Sequence, residues 1–158
     1  MSKEKIFIFD TTLRDGAQTE GVDFSVDDKN KIAKVLSEVG VDYIEGGWPG
    51  ANPVDTEFFS KPINLNKSIF TAFGMTKKTG RSAENDPSLS PLINASCPAV
   101  CVVGKAWDFH VKIALGIKNK DNLENIRETA KHIIKNGKEF LFDAEHFFDG
   151  YKSDPNYA

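Results

Sequence analysis

Long apolar runs are missing from this chain: none of its 158 residues belongs to a stretch approaching the roughly 20 needed to cross a bilayer. The polar start Met1-Ser2-Lys3-Glu4-Lys5 leads straight into a short apolar run with no signal-peptide core, so the expected location is the cytoplasm. An excess of one charge is missing too. Twenty Lys and Arg stand against 23 Asp and Glu, a formal net charge of -3, which offers no footprint for nucleic acid or for an anionic membrane, and neither partner is expected. Cysteine is scarce. Cys97 and Cys101, spaced Cys-x-x-x-Cys, lack the two further soft ligands of a structural zinc site and the third cysteine of a radical-cluster motif. They read as small buried residues in a reducing compartment. No linker, low-complexity tract or charge block interrupts residues 1–158, so one domain is expected.

What is present is alternation. Residues 6–9 read as a buried parallel strand. Ser25 with Asp27 and Asp28 reads as a helix start, Ile32, Val35, Leu36 and Val39 as an apolar stripe, and Gly40 as the C-cap. Residues 41–45 are a second strand, 53–59 a short helix and 67–73 a third strand, followed by a long polar loop over 75–85 and a helical piece at 91–94. Residues 99–104 form the most continuous apolar strand and should be central. Residues 121–136 read as a helix with a stripe of Leu123, Ile126, Ala130, Ile133 and Ile134, and 139–143 as a fifth strand opening into residues 144–151. The pattern is α/β, and periodicity alone leaves an open doubly wound sheet and part of a (β/α)₈ barrel both standing. A complete barrel takes about 250 residues, so this length suits about five eighths of one, a truncated barrel.

The stretch with the most chemistry is Phe9-Asp10-Thr11-Thr12-Leu13-Arg14-Asp15-Gly16-Ala17-Gln18, at the carboxyl end of the first strand, where α/β proteins place their sites. Arg14 beside Asp15, closed by Gly16, sets a permanent cation next to a hard oxygen donor, a pairing suited to an anionic, metal-bound substrate. A plain surface contact in a turn is the alternative. The full string resembles the opening of the DRE-TIM metallolyase superfamily, which comprises isopropylmalate, homocitrate and citramalate synthases and hydroxymethylglutaryl-CoA lyase. Residues 42–53, with Gly46-Gly47-Trp48-Pro49-Gly50-Ala51-Asn52-Pro53, resemble its second-strand signature in the form of the citramalate synthase branch. Residues 72–76, 80–86 and 142–151 resemble it as well.

The resemblance implies a TIM (β/α)₈ barrel of which residues 1–158 are the amino-terminal part, with the first five or so (β/α) units. It implies a metal-assisted Claisen-type acyltransferase that condenses acetyl-CoA with pyruvate to give citramalate, in branched-chain amino-acid synthesis and as a homodimer in full-length form. Asp15 would be a ligand of a divalent metal, Mg or Mn with Zn as the alternative, and Arg14 the catalytic cation at the developing enolate or alkoxide. Gln18 and Glu45 would bind substrate, and Glu145 would act in catalysis, either carboxylate being able to manage a proton. His110 lies in a segment resembling a fourth-strand exit, with core and surface roles open; His132 reads as exposed, and His146 stays ambiguous. One departure stands out. The family completes its metal site with a His-x-His pair, and no His-x-His occurs here, so the chain alone is expected to be inactive. Isopropylmalate or homocitrate synthesis from another 2-oxo acid is the alternative within the superfamily, and the lyase fits less well because its second-strand region differs. A non-catalytic half-barrel that pairs its open edges with a partner chain is the alternative from another class. A flavodoxin-like binding domain is weakened by the absence of a Gly-rich phosphate loop after the first strand.

Overall fold

The computed structural model describes residues 4–158; Met1 to Lys3, where the polar start begins, lie outside the described residues. Strands β1 (Phe9–Asp10), β2 (Tyr43–Gly47), β3 (Ile69–Met75), β4 (Ala99–Lys105) and β5 (Glu139–Glu145) form one sheet in the order β1-β2-β3-β4-β5. Phe9 lies opposite Tyr43 and Tyr43 opposite Ile69 in parallel register. Helices α1 (Val26–Val39), α2 (Pro53–Phe58), α3 (Ser90–Asn94), α4 (Asp108–His110), α5 (Asn119–Lys135) and α6 (Phe147–Ser153) fall between and after the strands. A strand order that follows the chain without reversal is that of a (β/α)₈ wall, whereas a doubly wound sheet reverses at a switch point. Topology thus decides what periodicity left open.

The chain divides into two compact units, one holding the residues up to Phe73 with Asn94–Ala99, the other Gly74–Ile93 with Val100–Ala158. In the first, α1 opens on a capping box: the Ser25 hydroxyl accepts the Asp28 N–H (3.2 Å) and the Asp28 carboxylate accepts the Ser25 N–H (3.1 Å). The Ser25 hydroxyl, with its N–H, holds the Asp28 carboxyl below its ordinary value. Gly40, at φ 98°, closes the helix as expected. The buried face is not the expected stripe. Lys29, Ala33 and Ser37 point inward, Ile32 and Leu36 are half-buried, and Val35 and Val39 are 58% and 77% exposed. Lys29 turns this face inward because its ammonium has three buried acceptors to satisfy. Phe59 stacks on Phe70 with centroids 4.6 Å apart, Phe58 meets the same ring edge-on at 5.1 Å, and the Phe58 and Phe70 rings fill the space over Gly46. Cys97 is buried, with its Sγ donating to the Ala99 carbonyl.

The first strand is shorter than expected. Only Phe9–Asp10 is strand, and Ile6, Phe7 and Ile8 are 83%, 53% and 55% exposed rather than buried. Among the described residues β1 ends the strand order with β2 as its one neighbour, so no described strand covers its outer side. Ile8 is still tied down: its carbonyl accepts the N–H groups of Asp42 and Tyr43 at 3.0 Å, and its own N–H goes to the Asp42 carboxylate at 2.8 Å.

In the second unit, β4 is buried along Val100, Cys101 and Val102, as its apolar run implied. On α5 the buried residues are Asn122, Asn125, Thr129 and Ile133, while Leu123 and Ile134 of the expected stripe are 47% and 60% exposed. Each polar residue finds a partner across the fold. Asn122 Nδ2 donates to the Lys105 carbonyl (2.9 Å), Asn125 Nδ2 to Thr79 Oγ1 (2.7 Å), and Thr129 Oγ1 accepts the Lys77 N–H (3.0 Å). Phe147–Ser153, beginning inside the stretch over 144–151 into which the fifth strand opens, form α6, and the stretch leaving β4 is α4 followed by a π-helical turn, Val111–Leu115.

Asp86, 1% exposed, fixes the long loop after β3. Burial would raise its carboxyl pKa. Bonds from the Ser88 hydroxyl, the Lys78 N–H and the Ser88 N–H together outweigh that and hold it below the ordinary value. Asp86→Ala strands those donors and is expected to cost about 1–3 kcal/mol at neutral pH. Because the folded-state pKa is depressed, this stability is present above the unfolded carboxylate value and disappears as pH falls through the folded one. Urea titrations of both proteins at neutral pH and near pH 3 should show the gap closing in acid.

Candidate active site

The turn after β1 is built from its own backbone. The Thr11 carbonyl accepts the N–H groups of Arg14, Asp15 and Gly16 at 3.1, 2.9 and 3.1 Å, and the Asp10 carboxylate accepts the Thr12 N–H (3.0 Å) and hydroxyl (3.1 Å). Leu13, fully buried, anchors the turn and leaves Arg14 and Asp15 at its rim. The Arg14 side chain then meets three groups. Its Nε donates to Glu45 Oε2 at 2.7 Å, its Nη1 to Asp15 Oδ1 at 3.1 Å, and its Cζ lies 3.9 Å from the centre of the Phe73 ring. Trp48 meets Phe73 edge-on, 5.6 Å between centroids.

Exposure separates the roles. Glu45 is 1% exposed, the Arg14 side chain 18% and the Asp15 side chain 61%. Glu45 therefore holds the guanidinium from beneath while Asp15 sits at the solvent side. Arg14 Nη2 has no hydrogen-bond partner among the described residues, so one edge of the fork is available to an incoming oxygen. A planar cation stacked on an aromatic ring and clamped along one edge offers a carboxylate or a developing oxyanion two donors in fixed geometry.

The structure thus brings Arg14, Asp15 and Glu45 together. Gln18 ends a 3₁₀ turn, Gly16–Gln18, with its N–H on the Asp15 carbonyl at 3.0 Å; its side chain is exposed and makes no hydrogen bond to Arg14, Asp15 or Glu45. Among the described residues no group of three or more His, Cys, Asp or Glu is placed to hold a metal ion. Asp15 Oδ1 is shared with Arg14, which leaves Oδ2 as its one oxygen outside that ion pair, and a divalent ion needs further ligands beside this carboxylate.

Glu145 belongs to the second unit. It ends β5 and forms an ion pair with Lys105 at the end of β4, with side chains 35% and 16% exposed. His146 follows in the left-handed region (φ 54°, ψ 36°), the one non-glycine residue with positive φ among those described, and its Nδ1 lies 3.1 Å from the Asp149 carboxylate. The His110 ring meets His146 edge-on at 4.6 Å and Trp107 at 4.7 Å. His132, expected to be exposed, has a side chain only 13% exposed, with Nδ1 3.8 Å from Glu84. Its ring shares a hollow with Ser82, Ala83 and Glu84 of the loop after β3, and these residues shield it from solvent. Sequence reasoning passed over Lys29, Lys105 and the Phe73 ring beneath Arg14. Their only signal was position: a lysine four and eight residues before Ala33 and Ser37, and strand residues next to a strand exit.

A parallel sheet in chain order, with a clamped arginine beyond its first strand, defines a barrel-type α/β protein with a charged cluster at a strand end. The chain belongs to the HMGL-like family, whose model matches residues 5–156. It is 50% identical over 157 residues to an (R)-citramalate synthase of Aquifex aeolicus, covering 98% of this chain and 30% of that protein. With the (R)-citramalate synthase of Geobacter sulfurreducens it shares 48% over 154 residues, 96% of this chain and 29% of the other. A 2-isopropylmalate synthase of Sulfolobus acidocaldarius is more distant, 33% over 138 residues, 87% of this chain and 34% of that one. The chain therefore spans under a third of the length of its citramalate synthase relatives. Among solved structures, a hydroxymethylglutaryl-CoA lyase from Pseudomonas aeruginosa superposes with TM-score 0.66 at 20% identity, over 87% of this chain and 45% of that one, a likeness of fold.

Proposed function

We propose that these residues serve a citramalate-synthase-type acyl transfer, in which acetyl-CoA condenses with pyruvate. The observation that carries it is Arg14, clamped by buried Glu45 with its Nη2 edge open, in a chain whose near relatives are named (R)-citramalate synthase. In this reaction the thioester methyl loses a proton and attacks the ketone carbon of pyruvate. The ketone oxygen becomes an alkoxide that takes up a proton, and hydrolysis of the thioester then releases CoA. Arg14 receives pyruvate oxygen on its open edge and gains strength as charge develops there; a guanidinium stays charged throughout. Glu45 keeps the fork in place. Glu145, beside the Lys105 ammonium, is the carboxylate we assign to proton transfer, and Gln18 to substrate contact. The family resemblance implies a divalent ion, Mg or Mn with Zn as the alternative, and Asp15 is the candidate ligand. A bound ion would polarise the ketone. We assign residues 1–158 to the amino-terminal part of one catalytic barrel domain, acting in the cytoplasm as a homodimer. Among the described residues no helix is long and apolar enough to cross a membrane.

The test is CoA release by the full product of the gene with pyruvate, 2-oxoisovalerate or 2-oxoglutarate, with the product identified by mass. Pyruvate should be preferred by about 10-fold or more, since each misplaced methylene in an apolar pocket is worth about 1–3 kcal/mol. Preference for 2-oxoisovalerate would point to isopropylmalate synthesis, and activity on none of the three would sink the synthase reading.

A second reading, association of the 158-residue chain with a partner chain, is favoured by the exposure of Ile6, Phe7, Ile8, Val35 and Val39. Sedimentation across a concentration series should show the mass rising above 17.5 kDa, and a monomer throughout would count against it.

A further inference from the structure

We infer that Lys29 and Asp55 are a positioning pair for Arg14 and Glu45, and that the Gly46-to-Pro53 string exists to seat them. This inference rests on the function proposed above. Lys29 is 4% exposed on the inner face of α1, and its ammonium donates to the Leu13 carbonyl (2.9 Å), the Gly46 carbonyl (2.9 Å) and the Asp55 carboxylate. Three N–H groups meet three acceptors. Two of those acceptors adjoin the site in sequence, for Leu13 precedes Arg14 and Gly46 follows Glu45. One buried ammonium thus ties the turn that carries the arginine to the strand end that carries its clamp.

Asp55 is held as firmly as Lys29. Its second oxygen accepts the Trp48 N–H (2.8 Å) and Asn52 Nδ2 (3.0 Å), while Asn52 Oδ1 caps α2 by accepting the Asp55 N–H (2.8 Å). Gly47 leaves room for the carboxylate, since a Cβ there would lie 2.5 Å from Asp55 Oδ1. Pro53 opens α2 at a position needing no N–H donor. The string that the substrate chemistry leaves without a task is therefore the housing of one ion pair. That pair spans the two segments whose separation sets the 2.7 Å bond between Arg14 Nε and Glu45.

A merely structural ion pair would make the same contacts, so the test must separate stability from geometry. Lys29→Met with Asp55→Asn removes both charges together and leaves neither one buried alone, while the Leu13 and Gly46 carbonyls lose their shared donor. In the full gene product, with acetyl-CoA and pyruvate, the double variant should keep a cooperative thermal transition and lose about 100-fold in kcat, the scale of a 1 Å misplacement. The KM for pyruvate should stay within about threefold, because Arg14 itself is retained. A folded double variant with kcat within about threefold of the parent would overturn the inference.

If that variant does not fold, Asn52→Ala loosens Asp55 without changing a charge. It should lower kcat by about tenfold, and an unchanged kcat would overturn the inference. The Arg14 Nε–H resonance gives a readout apart from turnover. It should be slowly exchanging in the parent, where Glu45 accepts it, and should broaden or vanish in the double variant. If it persists there, the positioning role fails whatever the enzyme's substrate. A parent inactive with every 2-oxo acid would sink the synthase reading and leave the resonance to decide this one.

Discussion

Arg14→Lys is expected to lower kcat/KM for the condensation by about 10²–10³-fold, the range seen when one preorganised donor to a developing oxyanion is lost. The substitution keeps the charge, so the loss would come from geometry. Arginine spends Nε on Glu45 and one Nη1 hydrogen on Asp15, lies flat over Phe73, and still presents Nη2. A lysine ammonium is a single point with no plane to stack; held by Glu45 and Asp15, it has no second edge to offer. Stability should change little, because Glu45, 1% exposed, keeps a cationic partner. Glu45→Gln is the companion experiment: it preserves shape and one acceptor oxygen but loses the charge that fixes the guanidinium, and a loss of about 10-fold is expected. Steady-state CoA release on the full gene product reads both. Wild-type kcat/KM in Arg14→Lys would remove the arginine from the chemistry.

Gly47→Ala is expected to destabilise the fold by about 3 kcal/mol or more, which is exceptional for one methyl group. Two causes act at the same atom. Gly47 sits at φ 148°, where an L-residue is strained, and an added Cβ would stand 2.5 Å from both Cγ and Oδ1 of Asp55. Asp55 cannot retreat, since Lys29, Trp48 and Asn52 hold its two oxygens. Gly80→Ala separates the causes: it also has a positive φ, 85°, but no atom within 4 Å of the added Cβ, and is expected to cost only about 1 kcal/mol. Equal losses for the two in urea unfolding would mean that the Asp55 contact contributes nothing.

These expectations show which features a sequence exposes. The Arg14-Asp15 turn was legible because its backbone is local: the N–H groups of Thr12, Arg14, Asp15, Gly16 and Gln18 all bond within residues 10–18. Strands β2, β3 and β4 were legible to within a few residues because apolar runs bounded by glycine and polar segments mark buried parallel strands, whereas the run over 6–9 proved exposed and is strand only at its end. The faces of α1 and α5 were not. Periodicity favours the most apolar stripe, yet Lys29, Asn122, Asn125 and Thr129 are buried because their partners lie far off in the chain: Gly46 and Asp55 for Lys29, Lys105 for Asn122, Thr79 for Asn125, Lys77 for Thr129. Polar burial is decided by such partners, and no pattern in the helix itself announces them. The same holds at the site. Glu45 could be named from its motif, but its clamp on Arg14 joins residues 31 apart, and the Lys105–Glu145 pair joins residues 40 apart. α6 was not marked as a helix in the sequence, and its aromatic residues Phe148 and Tyr151, 78% and 55% exposed, give no buried stripe to detect.

The most direct measurement is a crystal structure of the full gene product with pyruvate bound. The expected result is a pyruvate oxygen within hydrogen-bonding reach of Arg14 Nη2, with Nε still on Glu45 and the guanidinium still over Phe73. Pyruvate bound elsewhere, with Arg14 touching none of its oxygens, would contradict the account.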